Sequence, residues 1–259
     1  RPIGVFDSGL GGLTVLGALL ERFANENFVY LADVARLPYG TKSAEVVARY
    51  AERCFETLMA RDVKAVVIAC NTATASALPL LVARSPVPVF GVIEPGVHAA
   101  LDAWKDGRLL VLATAATIAS GAYERRLREA RPDGSLELRA CPLLVPLAEE
   151  GWWDHAVAEQ VIRHYVRSPE GLDAVLLGCT HYPLLVPSFR RVLGPAVALV
   201  HGAATLAEQL DVRLQAGGLR RTEPSPRTVT LLSTDRVAPG LPLLEGFPEG
   251  IRHFTRIDL

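Results

Sequence analysis

Residues 174–183, AVLLGCTHYP, decide the fold: an apolar run ends in a glycine, a thiol and an imidazole just before a proline. Such a run is typical of a buried strand of a parallel sheet, and the proline can open the helix that follows. Open α/β sheets bind ligands at the carboxyl ends of their strands. We therefore expect Cys179 and His181 to lie at a functional site.

A second stretch, residues 65–72, AVVIACNT, repeats this pattern about one domain-length earlier. It again brings a cysteine, Cys70, and a hydroxyl-bearing neighbour to the end of a buried strand. Strand patterns alternate with helical spacing along the rest of the chain, which predicts parallel sheets with helices on both faces. The sequence therefore predicts an α/β protein of two pseudo-symmetric, doubly wound parallel-sheet domains, with the active site in the cleft between them.

The length of 259 residues allows two domains that each hold a core, and half of the residues are hydrophobic. The net charge of -1 argues against nucleic-acid and membrane-surface partners, because both need a basic excess. No segment reaches the roughly 18 apolar residues of a membrane span, and no charged and apolar leader is evident, so we expect a cytoplasmic protein. The four cysteines lack CxxC spacing and are expected to be free thiols.

Other strand ends supply further candidates. The turn at residues 7–12, DSGLGG, follows an apolar strand and opens a helix. Asp7 and Ser8 would add an acceptor and a hydroxyl to an anion site there, although a tight turn with a capping Asp or Ser would look the same. Thr114 and Thr117 follow the equivalent strand of the second half and have the same two interpretations. The loop after the second strand adds Asp33, Arg36 and Tyr39.

The matched thiols indicate a reaction. Pseudo-symmetry would place Cys70 and Cys179 on opposite walls of one cleft, facing one carbon. One thiol could remove a proton while the other returns a proton to the opposite face, which is racemisation or epimerisation. A helix N-terminus or a protonated imidazole lowers a thiol pKa from about 8.5 towards neutrality, so we expect both cysteines to act near pH 7.

The neighbours of the thiols fit the same chemistry. Asp7 and His181 would orient or charge the thiols. A substrate carboxylate would be held by backbone N–H groups together with the side chains of Ser8, Asn71, Thr72 and Thr180.

Three alternatives remain open from the residues alone. The cysteines could be buried structural residues at strand ends. Cys70, Cys179 and His181 could bind zinc, but they lack the usual close pair of ligands. Pyridoxal phosphate would need a Schiff-base lysine, and no lysine lies in these strand-end motifs. We therefore expect neither a metal nor a cofactor.

Five motifs together identify a family: FDSGLGGL at 6–13, PYG at 38–40, CNTA at 70–73, IEPG at 93–96 and GCTHYPL at 178–184. With these, the chain resembles, nearly end to end, the glutamate racemases of the cofactor-independent aspartate/glutamate racemase superfamily. The resemblance implies interconversion of L-glutamate and D-glutamate, a building block of bacterial peptidoglycan. It also implies a homodimer.

The resemblance further implies roles for individual residues. Cys70 would take the α-proton from D-glutamate, and Cys179 would take it from L-glutamate. The residues expected to assist the cysteines are Asp7, Asp33, Glu149 and His181. The residues expected to contact the substrate are Asp7, Ser8, Tyr39, Gly40, Asn71, Thr72, Thr180 and His181.

The family arrangement also implies that the C-terminal segment returns to the first domain. Residues 1–95 together with 207–259 would form the domain that carries Cys70, and residues 96–206 the domain that carries Cys179. Two positions depart from the family pattern. Val34 replaces a threonine, which would remove a hydroxyl near the cleft, and the sequence HGA at 201–203 replaces an Asp-Ser pair where we expect domain packing.

Two other functions fit a two-lobed α/β protein. A relative of the same superfamily could act on aspartate or another carboxylate-bearing substrate, since the sequence does not reveal the size of the pocket. A binding protein could close its two lobes on an amino acid without turnover, but it would have little use for matched thiols.

Overall fold

The computed structural model describes residues 1–223, 226–237, 244 and 253–259. The strands are, in chain order, β1 (Ile3–Asp7), β2 (Phe28–Ala32), β3 (Ala65–Ile68), β4 (Val89–Gly91), β5 (Arg108–Ala113), β6 (Ser135–Ala140), β7 (Leu172–Gly178), β8 (Ala198–Val200), β9 (Val229–Ser233) and β10 (Phe254–Arg256). They form a six-stranded sheet in the order β10-β9-β2-β1-β3-β4 and a four-stranded sheet in the order β6-β5-β7-β8. Each neighbouring pair is parallel, which confirms the predicted α/β class with two parallel sheets.

Helices cover both faces of each sheet, as expected for strands whose residues are apolar on both sides. The first sheet lies between one core cluster that includes Leu16 and another that includes Leu58. The second sheet lies between clusters that include Ile162 and Val97. The helices are α1 (Leu13–Arg22), α2 (Ala44–Met59), α3 (Asn71–Arg84), α4 (Ile93–Ala103), α5 (Ala115–Ala119), α6 (Ala122–Ala130), α7 (Leu144–Glu149), α8 (Ala156–Val166), α9 (Val186–Leu193) and α10 (Ala203–Ala216).

The register of the sheets brings the candidate residues to common edges. Asp7, the last residue of β1, pairs with Ala32 at the end of β2, so that Asp33 follows immediately beside it. In the second sheet Ala113 of β5 pairs with Gly178 of β7, one residue before Cys179. Parallel pairing therefore delivers the loop after each strand to the same end of its sheet.

Two of the prolines that lie inside helices, Pro79 and Pro95, occupy different positions along their helices. The sequence EPG at 94–96 is typical of a break in the chain, whereas the structure begins α4 at Ile93 and continues through Pro95. A proline in the first turn costs no hydrogen bond, because N–H groups there have no partner within the helix. Pro79 lies further inside α3, which continues through it to Arg84.

Helices α4 and α10 carry the chain between the two sheets. Helix α4 follows β4 of the first sheet but packs in the core cluster of the second sheet that includes Val97. Helix α10 follows β8 of the second sheet but packs in the core cluster of the first sheet that includes Leu16. The predicted boundary between residues 206 and 207 lies inside α10, and the division of the chain into domains stays a prediction. Gly202 lies against the start of α4: a Cβ built there would be 2.6 Å from the carbonyl oxygen of Val92.

The two departures from the family pattern lie in these regions. Val34 is half-buried in a short 3-10 turn after β2 and packs against the first core. His201 accepts a hydrogen bond from the N–H of Ala203, at the start of α10, through Nδ1 at 3.4 Å. Within the described ranges, no helix is both long and apolar enough to cross a membrane.

Candidate active site

A pocket of about 410 Å³ lies between the two halves, at the carboxyl ends of their strands. Eleven of the residues expected from the sequence line it: Ser8, Tyr39, Gly40, Cys70, Asn71, Thr72, Thr114, Glu149, Cys179, Thr180 and His181. Of the other candidates, Asp7, Asp33 and Thr117 are buried outside the lining, and Arg36 is half-buried outside it. The pocket therefore brings the two cysteines to one space, from opposite halves of the chain.

Cys70 is the residue that caps α3. Its Sγ accepts a hydrogen bond from the N–H of Ala73 at 3.4 Å and donates one to Ser8 Oγ at 3.4 Å. Burial raises the pKa of the Cys70 thiol to about 12, and the negative charge of Asp7 adds to this rise, while the two hydrogen bonds oppose it. The expectation that the start of α3 lowers the pKa of Cys70 is therefore wrong when only the protein's own groups act on this thiol. Burial raises this pKa by more than the hydrogen bonds at the helix N-terminus lower it.

Cys179 follows directly after β7 and is paired with an imidazole. The Nδ1 atom of His181 lies 3.8 Å from Cys179 Sγ, and its Nε2 lies 3.2 Å from Glu149 Oε1. Burial of His181 lowers its pKa, but contact with Cys179 and Glu149 outweighs burial and raises the pKa to about 10. The imidazole is therefore protonated at neutral pH, as the sequence suggested for a charge beside this thiol.

Asp7 joins the two halves. Its Oδ2 accepts hydrogen bonds from the N–H groups of Gly9 at 3.0 Å and Gly12 at 3.1 Å, and its Oδ1 accepts one from Thr180 Oγ1 at 3.4 Å. Burial raises the pKa of the Asp7 carboxyl, and the charge of His181 and these hydrogen bonds oppose the rise. Asp7 thus contacts the loop that carries His181 rather than the pocket itself.

Asp33 holds another pocket residue. Its carboxylate accepts hydrogen bonds from the hydroxyl of Tyr39 and, at 3.0 Å, from Thr234 Oγ1. It also forms an ion pair with Arg36, with 3.2 Å between Nε and Oδ1. Tyr39 lines the pocket and Asp33 does not, so Asp33 reaches the site through the tyrosine.

Three threonine hydroxyls connect the halves at the pocket. Thr72 Oγ1 lies 2.9 Å from Thr114 Oγ1 and 3.0 Å from Thr117 Oγ1, and the latter two are 2.9 Å apart. Thr114 also caps α5, and because it lines the pocket it stays a candidate for a ligand hydroxyl. Gly40 makes room for it: a Cβ built at Gly40 would lie 2.7 Å from Thr114 Cβ. Nearby, Asn71 Oδ1 accepts a hydrogen bond from Tyr123 Oη at 2.6 Å.

Several residues of the lining, most of them apolar, were not expected from the sequence. The stretch at residues 141–153 shows no clear helical spacing in the sequence, yet it contains α7, which carries both Val145 and Glu149. Pro142 lies just before this helix and Pro146 lies inside it, so the stretch resembles an irregular segment in the sequence. The lining residues that sequence reasoning missed are Leu37, Pro38, Thr41, Ala115, Pro142, Val145 and Pro146.

The charges of the lining come from His181 and Glu149, and no lysine or arginine contributes to it within the described part of the chain. Across the same residues, no three or more His, Cys, Asp or Glu side chains are grouped so that they could hold a metal ion. The structure therefore provides no ligand set for the zinc alternative. All four cysteines are free and buried.

Comparison with known proteins agrees with this geometry. The family model described as Asp/Glu/Hydantoin racemase matches residues 11–210. The glutamate racemase of Thermus thermophilus is 47% identical over 259 residues, covering 100% of this chain and 96% of that protein.

Solved structures agree as well. The crystal structure of the Thermus thermophilus enzyme in complex with beta-chloro-D-alanine aligns with a TM-score of 0.87 at 42% identity, covering 100% of this chain and 97% of that one. A glutamate racemase isoform from Bacillus anthracis aligns with a TM-score of 0.92 at 33% identity, covering 100% and 98%. The chain therefore belongs to the Asp/Glu/Hydantoin racemase family and, within it, to the glutamate racemases.

Proposed function

We propose that this protein interconverts L-glutamate and D-glutamate by proton transfer between the α-carbon and two thiols, with no cofactor. The observation that carries the proposal is the position of Cys70 and Cys179, which line one pocket from different halves. Each thiol has its own polar partners, so each can exchange a proton independently of the other.

The proton balance is simple. From L-glutamate, the Cys179 thiolate takes the α-proton, and the electron pair remains on the α-carbon and its carboxylate. The Cys70 thiol then donates its proton to the opposite face, which leaves D-glutamate, a protonated Cys179 and a Cys70 thiolate. The reverse reaction uses the same two groups with their roles exchanged.

The charges of the site suit this sequence. An imidazolium at His181, 3.8 Å from Cys179 Sγ, stabilises negative charge on that sulfur. Cys70, with its raised pKa, begins as the thiol that donates. For the reverse direction the α-ammonium of the substrate would supply a positive charge beside Cys70, where the described pocket lining offers no lysine or arginine.

Neutral donors are available for the substrate carboxylates. The lining offers the hydroxyls of Ser8, Thr72, Thr114 and Thr180 and the amide of Asn71. The N-terminus of α3, a helix of 14 residues capped by Cys70, would also favour a carboxylate beside this cysteine. Such donors can hold a substrate carboxylate without a second cationic side chain, so that His181 stays the positive side chain of the described lining.

The decisive measurement is racemisation followed by circular dichroism, starting separately from L-glutamate, D-glutamate and both enantiomers of aspartate. We expect the glutamate signals to decay to zero from both sides without added cofactor and in the presence of a chelator. Racemisation of aspartate but not glutamate would favour the alternative substrate. Binding of glutamate without any turnover would favour a two-lobed binding protein.

Three broader expectations depend on this activity. We propose that the protein supplies D-glutamate for peptidoglycan, which predicts that its gene restores growth to a bacterium that requires D-glutamate.

A cytoplasmic location suits four free thiols, because that compartment keeps cysteines reduced. A homodimer, implied by the family, predicts twice the chain mass in sedimentation experiments at assay concentration, and a monomer there would contradict it.

A further inference from the structure

The turn between β1 and α1 packs against the imidazole of His181, which belongs to the other half of the chain. A Cβ built at Gly11 in this turn would lie 2.6 Å from His181 Cε1 and 2.6 Å from Thr180 Oγ1, and closer still to His181 Nδ1. Real Cβ atoms do not approach other atoms so closely. Any side chain at position 11 must therefore displace the imidazole or the turn.

Gly11 is needed for space and not for an unusual backbone conformation. Its φ lies outside the left-handed region, in contrast to that of Gly121 at 63°. An alanine at position 11 is therefore compatible with the local backbone. Its effect would come from contact with His181 and Thr180.

Two hydroxyl contacts fix the same turn to the same dipeptide. Thr14 Oγ1 lies 3.0 Å from the carbonyl oxygen of Thr180 and 2.9 Å from that of Gly11. The hydroxyl of Thr180 in turn donates to Asp7 Oδ1 at 3.4 Å. The turn of the first half and the loop of the second half therefore form one hydrogen-bonded unit.

The His181 imidazole has two further contacts, one with a carboxylate and one with the Cys179 thiol. Glu149 holds Nε2, and Nδ1 faces Cys179 Sγ at 3.8 Å. Nδ1 is also the His181 atom nearest to position 11. A displacement caused by a side chain at position 11 therefore acts directly on the atom that faces the thiol.

We propose that Gly11 is a positioning residue for the Cys179 side of the site: its missing side chain lets the turn of one half hold His181 of the other half against Cys179. The inference rests on the proposed two-thiol function. Cys70 has different partners, Ser8 and Ala73. Gly11 is therefore expected to affect one of the two proton transfers selectively.

Steady-state racemisation alone does not reveal this selectivity. L-glutamate and D-glutamate have equal free energies in solution, so kcat/KM must be equal in both directions for every variant. The two proton transfers have to be observed separately, with each enantiomer of a glutamate analogue that carries a leaving group on its β-carbon. After removal of the α-proton, the electron pair forms a Cα–Cβ double bond and the leaving group departs as an anion.

The experiment compares wild type with Gly11→Ala and with Gly17→Ala, a matched control. Gly17 lies in α1, and a Cβ built there would meet nothing within 4 Å. We expect Gly11→Ala to slow elimination from the L-analogue by about 100-fold, because small displacements of a catalytic group have effects of that size. Elimination from the D-analogue should change little, and Gly17→Ala should affect neither enantiomer.

Equal losses on both enantiomers, or no loss on the L-analogue, would overturn the positioning role. If Gly11→Ala does not fold, Thr14→Val tests the same unit without adding volume beside His181. It should slow the L-analogue selectively by about tenfold, and Thr14→Ser should restore the rate. Wild type that does not racemise glutamate, or Cys179→Ser that keeps full L-side elimination, would instead refute the underlying function.

Discussion

Cys70 and Cys179 occupy equivalent positions in the two halves, but their surroundings carry different charges. Cys70 caps a helix of 14 residues, and its hydrogen-bond partners, Ser8 and Ala73, are neutral. Cys179 precedes a short 3-10 turn and faces the charged pair of His181 and Glu149. The two thiols are therefore symmetric in space and unequal in electrostatics.

This difference shows that a repeated fold does not by itself produce a repeated mechanism. The strands place both sulfurs at one pocket, while the loops decide how each sulfur gains and loses its proton. The buried Asp7 belongs to both environments, since it raises the Cys70 pKa and also the His181 pKa. Substitutions around the two thiols should therefore separate the two proton transfers.

The largest effect is expected from the thiols themselves. Cys70→Ser and Cys179→Ser should each reduce racemisation by at least about 1,000-fold, because a hydroxyl is a much weaker acid and base than a thiol near neutral pH. With the β-leaving-group analogues, Cys70→Ser should still process the L-enantiomer and Cys179→Ser the D-enantiomer. If both variants favoured the same enantiomer, the assignment of one thiol to each face would be wrong.

The next effect concerns the charge beside Cys179. His181→Asn should slow elimination from the L-analogue by about 100-fold and leave the D-analogue much less affected. Because His181 has a pKa raised to about 10, its protonated form stabilises the fold fully below about pH 6.5, and this contribution disappears as the pH rises through 10. The difference in Tm between wild type and His181→Asn should accordingly shrink from pH 7 to pH 10. A constant difference would contradict a charged His181.

A smaller effect tests whether Asp33 assists a cysteine or only holds Tyr39. Through Tyr39, Asp33→Asn should raise KM about tenfold in both directions and should cost about 1–3 kcal/mol of stability, since its partners lose a charged acceptor. Tyr39→Phe is the matched variant and should reproduce the change in KM. A selective loss of D-side elimination in Asp33→Asn would show that Asp33 acts on Cys70 instead.

The smallest effect is expected at Thr117, which is buried outside the pocket lining. Thr117→Val should lower stability by about 1 kcal/mol, because the hydroxyls of Thr72 and Thr114 lose a shared partner. Both proton transfers should slow slightly and equally, and Thr117→Ser should restore the Tm in thermal unfolding. If Thr117→Val slowed elimination from only one enantiomer of the analogue, Thr117 would support only one of the two thiols.

Sequence reasoning identified the parts of the fold that depend on short-range patterns. The apolar runs before Cys70 and Cys179 form the buried strands β3 and β7. Uniformly apolar residues suit a strand that is buried on both faces. The placement of both cysteines at one pocket followed from the parallel topology. The resemblance to the family then supplied Glu149, which lies outside the five quoted motifs.

The features that the sequence did not reveal depend on long-range packing. The raised pKa of Cys70 results from burial among side chains distant in sequence, and this burial outweighs the local helix terminus. Val145, an apolar residue of the lining, lies on a helix whose apolar spacing is interrupted by Pro146. The close approach of Gly11 to His181 joins residues from the two halves of the chain, and no local pattern at either position indicates the other.

The strand order of the first sheet also determines when this protein can fold during synthesis. Strand β2 pairs with β1 on one side and with β9 on the other. The ribosome completes the whole second sheet before it makes β9, so β2 remains an open edge throughout that time. Unpaired apolar edges recruit strands from other chains. A chain released before residue 229 therefore has an exposed β2 edge and is prone to aggregate, even though both cysteines and every residue that lines the pocket have already been made.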